Sequence, residues 1–401
     1  MNVLHIVPEM DPQKGGVGQA VRNINSGLSA LGISNEIVSL DDPTSRLAGN
    51  SGSVHSVGLG RGPWHYNKQL IPHLIKNLPR FDAVIVHGLW LYHSYAIRQA
   101  MALIQRRQNG TKKISLPKLF VMPHGMLDPY FQKAPGRKLK AVRNWIYWKL
   151  VEKNLINEAD GLLFTCEMER QLARKSFFPY HPKSEIVVGL GVEDPPRFDE
   201  KFRTAFLDRC PSMTNLSYIL YLGRIDSKKG IDLLIAAYAS LIAKSKLKIK
   251  FNTPLPKLVI AGPGLDTDHG RKIQEMVDEN HLASEVYFTG MLTGDAKWGA
   301  YYCCESFILP SHQENFGIAV VEALACSKPV LISSQVNIWQ EITNQGAGVI
   351  AEDTLKGTIT MLTQWVHMSA RDKDVMGNNA RKCYENNFAI KPAAAHMLQV
   401  F

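Results

Sequence analysis

The sequence is poor in cysteine and has no long uninterrupted run of apolar residues. Only six of its 401 residues are cysteines, none forms a Cys-x-x-Cys pair, and most lie in apolar stretches. This pattern predicts buried, reduced thiols and argues against a disulfide framework. No segment reaches the roughly 18 apolar residues of a membrane-spanning helix, and MNVLHIVPEM lacks the basic leader of a signal peptide. We therefore expect a cytoplasmic protein.

Acidic residues are scarce in one half of the chain only. Residues 1–190 hold 24 Lys and Arg against 13 Asp and Glu, whereas the remainder holds 22 against 23. The net charge of +10 therefore belongs to the amino-terminal half and needs a local explanation there.

Short buried-type strands alternate with helical stretches along the whole chain. The predicted strands are VLHIV, EIVSL, AVIVHG, LFVMPHG and GLLFTC in the first half, and YILYLG, KLVIAG, VYFTG, SFILP and PVLIS in the second. Such alternation predicts an α/β fold of two doubly wound, Rossmann-like domains, which we expect to face each other across a cleft. We set the domains at 1–192 and 217–380, with a proline-containing linker at 193–216 and a last segment, 381–401, returning to the first domain.

Two cations follow the strand YILYLG. Arg224 comes directly after it, and Lys229 precedes Gly230 at the start of a predicted helix. An arginine can grip two oxygens at once and a lysine adds a point charge, so the pair suits a diphosphate. Alone, the pattern is equally typical of cations on a solvated surface.

A more specific signal is a pair of glutamates, Glu314 and Glu322, with seven residues between them. Residues Asn315, Phe316 and Gly317 open a helix whose free backbone N–H groups favour an anion in front of it. Carboxylates accept paired hydrogen bonds from vicinal hydroxyls, so we predict that Glu314 binds a sugar and Glu322 a ribose.

GRIDSKKG and the Glu-x7-Glu stretch together resemble the retaining glycosyltransferases of family 4, which have the GT-B architecture. VIAGPG and VYFTG follow in the family's order. The resemblance implies a metal-independent enzyme whose second domain binds a nucleotide-sugar donor and whose first lies on the acceptor side. It implies diphosphate contacts from Arg224 and Lys229, a sugar contact from Glu314, and further donor contacts from Gly264, Met291, Leu292, Asn315, Phe316, Gly317 and Glu322.

The first domain has its own candidates. The glycine-rich turn Gly15-Gly16-Val17 is predicted to approach the donor or acceptor, although a plain tight turn explains it equally well. His124, in PHGML, resembles the family's histidine at the donor sugar, and HGLW (87–90) is its companion; both resemble a subgroup that builds cell-surface polysaccharides. Trp90 and Tyr92 fit either acceptor stacking or the core.

Retaining chemistry raises the question of a carboxylate nucleophile. Asp11 and Asp128 are candidates by location only, and the resemblance implies front-face transfer without a stable covalent intermediate. In the basic segment 133–154, cations alternate with aromatic and aliphatic residues. This is typical either of a helix with a solvated basic face or of one that contacts an anionic membrane. No nucleic-acid-binding signature accompanies it, so we predict no nucleic acid partner.

The sequence therefore predicts a hexosyltransferase that needs no cofactor. We expect UDP-glucose as the donor, ahead of UDP-N-acetylglucosamine, UDP-galactose and GDP-mannose, and a glycan or lipid-linked glycan as the acceptor. A non-hydrolysing nucleotide-sugar epimerase on the same fold and a non-catalytic nucleotide-sugar-binding subunit are the alternatives. Conversion of the donor without acceptor would identify an epimerase.

Overall fold

The computed structural model describes residues 1–11, 15–43, 54–107, 115–134, 137–246 and 255–401. Within these ranges the chain divides into two compact units. The first contains Met1–Gly191 and also Ile390–Phe401, and the second is Val192–Ala389. No helix in the described ranges is long and apolar enough to cross a membrane.

The first unit is built on a seven-stranded parallel sheet in the order β3-β2-β1-β4-β5-β6-β7. Its strands are β1 (Asn2–Val7), β2 (Ser34–Ser39), β3 (Val54–Ser56), β4 (Ala83–His87), β5 (Lys118–Met122), β6 (Gly161–Phe164) and β7 (Glu185–Val187). The central strands are buried along nearly their whole length, as continuous apolar runs in a doubly covered sheet should be.

Helices lie between these strands. They are α1 (Gly16–Ala30), α2 (Leu70–Asn77), α3 (Tyr92–Arg107), α4 (Tyr130–Lys133), α5 (Lys138–Tyr147), α6 (Lys153–Glu158) and α7 (Glu167–Ala173), with α16 (Ile390–Leu398) from the end of the chain. A π-helical turn, Trp148–Glu152, joins α5 to α6. Helix α16 packs closely on α1, because a Cβ atom added at Gly27 would lie 2.9 Å from that of Ala394.

The second unit holds a six-stranded parallel sheet in the order β10-β9-β8-β11-β12-β13. The strands are β8 (Tyr218–Leu222), β9 (Lys257–Ala261), β10 (Val286–Gly290), β11 (Ser306–Leu309), β12 (Val330–Ser333) and β13 (Gly348–Ala351). Its helices are α8 (Glu200–Arg209), α9 (Ile231–Lys246), α10 (Asp268–Glu279), α11 (Gly294–Cys303), α12 (Ile318–Ala325), α13 (Trp339–Asn344), α14 (Leu355–His367) and α15 (Ala370–Asn387).

The segment predicted as a linker, 193–216, contains helix α8 and lies in the second unit. The Asp199 carboxylate caps α8, and Phe202 and Phe206 on its inner face are buried. Helix α11 approaches so closely that a Cβ atom at Gly299 would lie 1.9 Å from the Phe202 carbonyl oxygen. Most of the segment is therefore packed structure.

Both sheets reverse their strand order between two central strands, β1 and β4 in the first unit and β8 and β11 in the second. Ligands of doubly wound folds bind beyond the carboxyl ends of the strands at such a reversal. The loops there are the ones that carry HGLW in the first unit, and GRIDSKKG and PSHQEN in the second.

Candidate functional site

In the second unit, the loops that follow β8 and β9 are held together by backbone contacts. The Ile225 N–H donates to the Pro263 carbonyl oxygen at 2.8 Å. A Cβ atom at Gly264 would lie 2.8 Å from the Ile225 carbonyl oxygen, so only glycine allows this approach. The predicted donor residue Gly264 therefore lies beside the Arg224 loop, and Arg224 itself is exposed.

The lysines of the β8 loop are fixed by the loop that follows β11. The Asp226 carboxylate accepts the Lys228 N–H at 3.0 Å and starts a short 3-10 turn that ends at Lys229. The Lys228 carbonyl oxygen in turn accepts the His312 N–H at 2.7 Å. Gly230 closes the turn at φ +66°, against the Pro310 carbonyl oxygen. These contacts determine where Lys229 lies.

Lys229 forms an ion pair with Glu314, and both side chains are about four-fifths buried. Burial opposes ionisation of Glu314, but the charges of Lys229, Lys228 and Arg224 outweigh it and lower the pKa of the carboxyl below its usual value. Glu314 is therefore an anion surrounded by three cations. The structure brings the predicted residues Arg224, Lys229 and Glu314 into one electrostatic cluster.

The backbone around Glu314 is held by the loop that follows β12. The Glu314 N–H donates to the Gln335 carbonyl oxygen at 3.0 Å, and the Glu314 carbonyl oxygen accepts the Asn337 N–H at 2.9 Å. Gly317, at φ +76°, is the cap residue of α12, so the amino terminus of the helix lies three residues beyond Asn315. Phe316 is buried and packs edge-on against Phe388.

Glu322, on α12, has two partners that the sequence did not suggest. Its carboxylate accepts from Lys297 Nζ at 2.9 Å and from the Tyr301 hydroxyl at 3.0 Å. Both partners lie on α11, which begins just beyond the predicted base-binding residues Met291 and Leu292. Met291 is exposed and Leu292 is buried. In the sequence, the signal that could have indicated this contact was Lys297, the fourth residue of a helix that follows a strand.

In the first unit, His124 follows β5 and is half-buried. It has a left-handed backbone, at φ +52°, which is uncommon for a residue other than glycine. The next residue, Gly125, donates its N–H to the buried carboxylate of Glu169, which also accepts the backbone and hydroxyl groups of Thr165. Glu169 therefore ties the PHGML loop to the start of α7, a role that the sequence alone did not show.

HGLW, the companion loop, is held in the same way. Trp90, at φ +71°, donates its N–H to the Glu152 carboxylate at 2.6 Å. Glu152 is fully buried, and burial raises its pKa to about 8. Trp90 is only 8% exposed and packs against Phe177, so of the two interpretations of this residue the structure favours the core.

The remaining candidates of the first unit lie on several different elements. Gly15 precedes α1, and Gly16 and Val17 are its first residues. Tyr92, at the start of α3, is partly exposed and makes edge contact with Tyr66. Asp128 is buried and accepts the Tyr130 N–H at 2.8 Å, and Asp11 is partly exposed. Residues 12–14 of the glycine-rich turn lie outside the described part of the chain.

Metal ligands do not cluster in the part of the chain that the structure describes. No three His, Cys, Asp or Glu side chains there come together as a metal ion would need. Two Asp-x-Asp sequences occur, but both lie at helix starts. Asp268 of 266–268 is exposed and pairs with Arg271, and Asp372 of 372–374 bonds with the cap residue Ser369. Metal independence stays a prediction.

Comparison with known proteins gives a consistent picture. The family described as glycosyl transferases group 1 matches residues 209–383, and the glycosyl transferase 4-like domain matches residues 15–188. D-inositol 3-phosphate glycosyltransferase of Gordonia bronchialis is 27% identical over 243 residues, 57% of this chain and 49% of that protein. The chain thus spans about half the length of the curated relatives it matches.

Solved structures match over the whole chain. Sucrose-phosphate synthase of Thermosynechococcus elongatus has a TM-score of 0.72 at 19% identity and covers 99% of this chain and 97% of its own. The HepE protein of Anabaena, solved in complex with UDP and glucose, has a TM-score of 0.75 at 14% identity, covering 100% and 98%. At these identities the likeness establishes the fold, with two parallel-sheet, Rossmann-like domains.

Proposed function

Because the chain belongs to the GT-B glycosyltransferases, with a 4-like amino-terminal domain and a group 1 carboxyl-terminal domain, we propose that it transfers a hexose from a nucleotide sugar. The observation that carries the proposal is the cluster of Arg224, Lys228 and Lys229 around the anionic Glu314, at the strand reversal of the second unit. A doubly wound domain binds its nucleotide at this position.

We assign the diphosphate to the cations and to the start of α12. Arg224 is exposed and its guanidinium can bind two phosphate oxygens, while Lys229 has a single charge to share between Glu314 and the ligand. The free N–H groups of the helix start add a partial positive charge. When the bond between the sugar C1 and the diphosphate breaks, negative charge grows on the leaving oxygen, and these groups stabilise it.

The two glutamates then bind hydroxyl groups. Glu314 remains ionised beside Lys229, so its carboxylate accepts hydrogen bonds from the transferred sugar. Glu322 is oriented by Lys297 and Tyr301, which leaves it a fixed acceptor for the ribose hydroxyls. His124 contacts the sugar, and the acceptor hydroxyl attacks C1 on the face that the leaving group vacates, with retention of configuration and without a bound metal.

UDP-glucose is the donor that we propose. The Anabaena HepE structures, which share the fold, contain UDP, glucose or UDP-glucose. The resemblance of HGLW and PHGML favours a glycan or lipid-linked glycan acceptor in polysaccharide synthesis. Several relatives are named D-inositol 3-phosphate glycosyltransferases, which makes inositol phosphate the second acceptor to test.

A binding screen followed by a transfer assay tests this proposal. The chain is melted with UDP-glucose, UDP-N-acetylglucosamine, UDP-galactose and GDP-mannose, and a ligand at 100 times its Kd should stabilise it by about 2.7 kcal/mol. The stabilising donor is then incubated with and without acceptor, and the product anomer is determined by NMR. Stabilisation by none of the four would contradict the donor site, and an inverted anomer would contradict retention.

We propose in addition that the first unit contacts an anionic membrane through α5 and the π-helical turn. Four exposed apolar residues recur there every three or four positions and so share one side of the helix. This outer stripe consists of Leu139, Val142, Ile146 and Leu150. Leu139 is 88% exposed, which is unusual for leucine unless something covers it.

Cations flank the outer stripe on both sides. Lys138 and Lys149 lie on one side and Arg143 and Lys140 on the other, all of them exposed. Trp145 is 56% exposed next to the stripe, whereas Trp148 is fully buried and cannot reach a membrane. Apolar residues between exposed cations suit the boundary between headgroups and acyl chains. This surface would hold the enzyme at the inner face of the membrane, where lipid-linked acceptors are accessible.

Liposome co-sedimentation tests the contact. Wild type should bind vesicles that contain anionic lipid, and the binding should fall as salt rises. Each basic residue near such a surface contributes about 1 kcal/mol, so changing three of them to glutamate should weaken partitioning by about a hundredfold or more. The variant is Lys138→Glu, Lys140→Glu, Arg143→Glu, and its matched control is Lys272→Glu, Lys356→Glu, Lys382→Glu.

The control substitutions change the same charge on exposed residues of the second unit, so they should leave binding nearly intact. Replacing Leu139 and Leu150 with serine should weaken the binding that persists at high salt. The membrane contact is disproved if wild type ignores anionic vesicles at low salt, or if the control triple variant loses as much binding as the α5 variant.

A further inference from the structure

Three histidines of the first unit form a hydrogen-bonded row that ends at His124. His124 Nε2 lies 2.9 Å from His87 Nδ1, and His87 Nε2 lies 3.0 Å from His5 Nδ1. Consecutive ring centroids are 5.2 Å apart in both pairs, with the planes inclined by 27° and 28°. We call His5, His87 and His124 the histidine row.

The register of the sheet produces this row. His5 on β1 is paired with Ile85 on β4, and His87 lies two residues further along β4, so the two imidazoles share a face of the sheet. His87 is paired with Met122 on β5, and His124 follows two residues later. Each step of the row therefore crosses to the next strand and moves two residues towards the carboxyl ends of the strands, where His124 lies.

All three rings are neutral at physiological pH. Burial lowers the pKa of His5 and of His124 to about 4, and burial together with the neighbouring histidines lowers that of His87 well below its usual value. A neutral imidazole has one N–H donor and one lone pair. Both contacts of the row join one ring nitrogen to another, so in each contact one ring must donate and the other must accept. Every N–H in the row therefore points in the same direction along it.

The inner end of the row decides that direction. Asn35 donates its amide hydrogens to the Ile33 carbonyl oxygen at 3.0 Å and to Ser29 Oγ at 3.3 Å, so the atom it has left is its Oδ1 acceptor. Asn35 raises the pKa of His5, as an acceptor near the ring does. Among the described residues, His5 Nε2 and Asn35 Oδ1 are buried and neither has a hydrogen-bond partner, so the two atoms can serve each other only if the proton of His5 is on Nε2.

The proton of His5 is therefore on Nε2, its Nδ1 accepts from His87 Nε2–H, and His87 Nδ1 accepts from His124 Nε2–H. We infer that His87, His5 and Asn35 are positioning residues, which hold His124 as its Nε2–H tautomer and present its Nδ1 lone pair as an acceptor for a sugar hydroxyl. This inference rests on the proposed function for the identity of the ligand, but the tautomer itself does not.

The other contacts of these residues agree with this assignment. His124 Nδ1 makes no hydrogen bond to any residue that the structure describes. His93 donates from Nε2 to the His87 carbonyl oxygen at 3.1 Å, so it holds the backbone and leaves both ring nitrogens of His87 to the row. Glu169 holds the backbone of the left-handed loop by accepting the Gly125 N–H. The histidine row therefore has to orient only the imidazole ring of His124.

The tautomer can be measured without any activity. In protein labelled with ¹⁵N-histidine, the ring shifts distinguish a protonated from an unprotonated nitrogen, and the signals lost in His124→Asn identify His124. We expect an unprotonated His124 Nδ1 in wild type and in His73→Asn, a control on helix α2. A protonated His124 Nδ1 in the wild-type chain would overturn the inference, whether or not transfer is observed.

Kinetics then test positioning. His87→Phe fills the same space but breaks both hydrogen bonds, whereas His87→Asn keeps an acceptor at the position of Nδ1. We expect kcat/KM to fall about tenfold or more in His87→Phe and at most about threefold in His87→Asn, the difference that one neutral hydrogen bond makes. A melting temperature measured for each variant separates loss of fold from loss of orientation.

Deoxy analogues of the donor locate the hydroxyl. If His124 accepts from one sugar hydroxyl, the effect of His87→Phe should disappear with the single analogue that lacks this group and persist with the others. An equal effect with every analogue, in a variant that melts like wild type, would show that the row only fills the core. Absence of transfer in the wild type itself would refute the proposed function and leave the tautomer measurement valid.

Discussion

Replacing Glu152 with glutamine should make the first unit insensitive to a pH change that weakens the wild-type chain. The carboxyl group is fully buried, and its Oε1 accepts the Trp90 N–H at 2.6 Å, whereas its Oε2 has no hydrogen-bond partner among the described residues. Glutamine keeps an acceptor oxygen for Trp90 and is nearly the same size as glutamate. The substitution therefore removes the titration and preserves the contacts.

The magnitude follows from the shifted pKa. Burial raises the pKa of Glu152 from its ordinary 4.5 to about 8, so the unfolded chain ionises this carboxyl well before the folded chain does. Its contribution to stability is fully present below pH 4.5 and is lost as the pH rises to 8. At about 1.4 kcal/mol per pH unit, the wild type should lose roughly 3 kcal/mol between pH 6 and pH 9, with most of the loss below pH 8.

Urea and thermal unfolding at pH 6, 7, 8 and 9 measure the loss. For a unit of this size, 3 kcal/mol corresponds to roughly 6–12 °C in Tm. Glu158→Gln is the matched control, because that side chain is about half exposed and its curve should follow that of the wild type. If the stabilities of wild type and Glu152→Gln change in parallel from pH 6 to pH 9, Glu152 is not buried as a neutral acid and the reasoning fails.

Three further predictions concern the charges of the site and the histidines. Arg224→Ala or Lys229→Ala should lower kcat/KM by the equivalent of about 2–4 kcal/mol with little change in Tm, because each removes a group that stabilises the leaving diphosphate. Lys272→Ala, on the exposed side of α10, should have no effect, and full activity of the Arg224 or the Lys229 variant at low and saturating donor would refute the assignment. Transfer should persist in EDTA, and a complete loss that magnesium or manganese restores would show that a metal takes part. Acid should lower the free energy of unfolding of the first unit, since the pKa values of His5 and His124 are lowered from 6.5 to about 4 and the unfolded chain therefore binds protons first. A free energy of unfolding that stays flat from pH 6.5 to pH 4 would contradict this.

Apolar runs were enough to predict the nine central strands, because a parallel sheet covered on both faces needs continuous apolar runs, and they also predicted the edge strand β10. They missed the edge strands β3, β7 and β13, which are short and partly exposed and so lack such a run. Pro195 and Pro196 favoured a linker and masked α8. The spacing of Phe202 and Phe206 one turn apart, after the cap residue Asp199, was the helix signal that we underestimated.

The residues that we propose as the diphosphate site could be selected from the sequence because their chemistry is local: cations just after one strand and a glutamate just before one helix. Glu152 and Glu169 could not, since both read as ordinary helix carboxylates. Their backbone partners are 62 and 44 residues away, and only the folded sheet brings those loops over the helices. Trp90 was undecided for the same reason, because burial depends on which neighbours arrive.

The π-helical turn between α5 and α6 controls helical phase. Asn144, Trp148, Glu152 and Ile156 are all buried and recur every four residues. In an α-helix each such step would rotate the side chain by about 40°, and the last of the four would face about 120° from the first. The wider turn at Trp148–Glu152 takes up this rotation. Deleting one uncharged residue of this turn, such as Val151, should restore the α-helical phase. Glu152 would then turn away from Trp90, and the outer stripe would face a different direction, although no charge has changed.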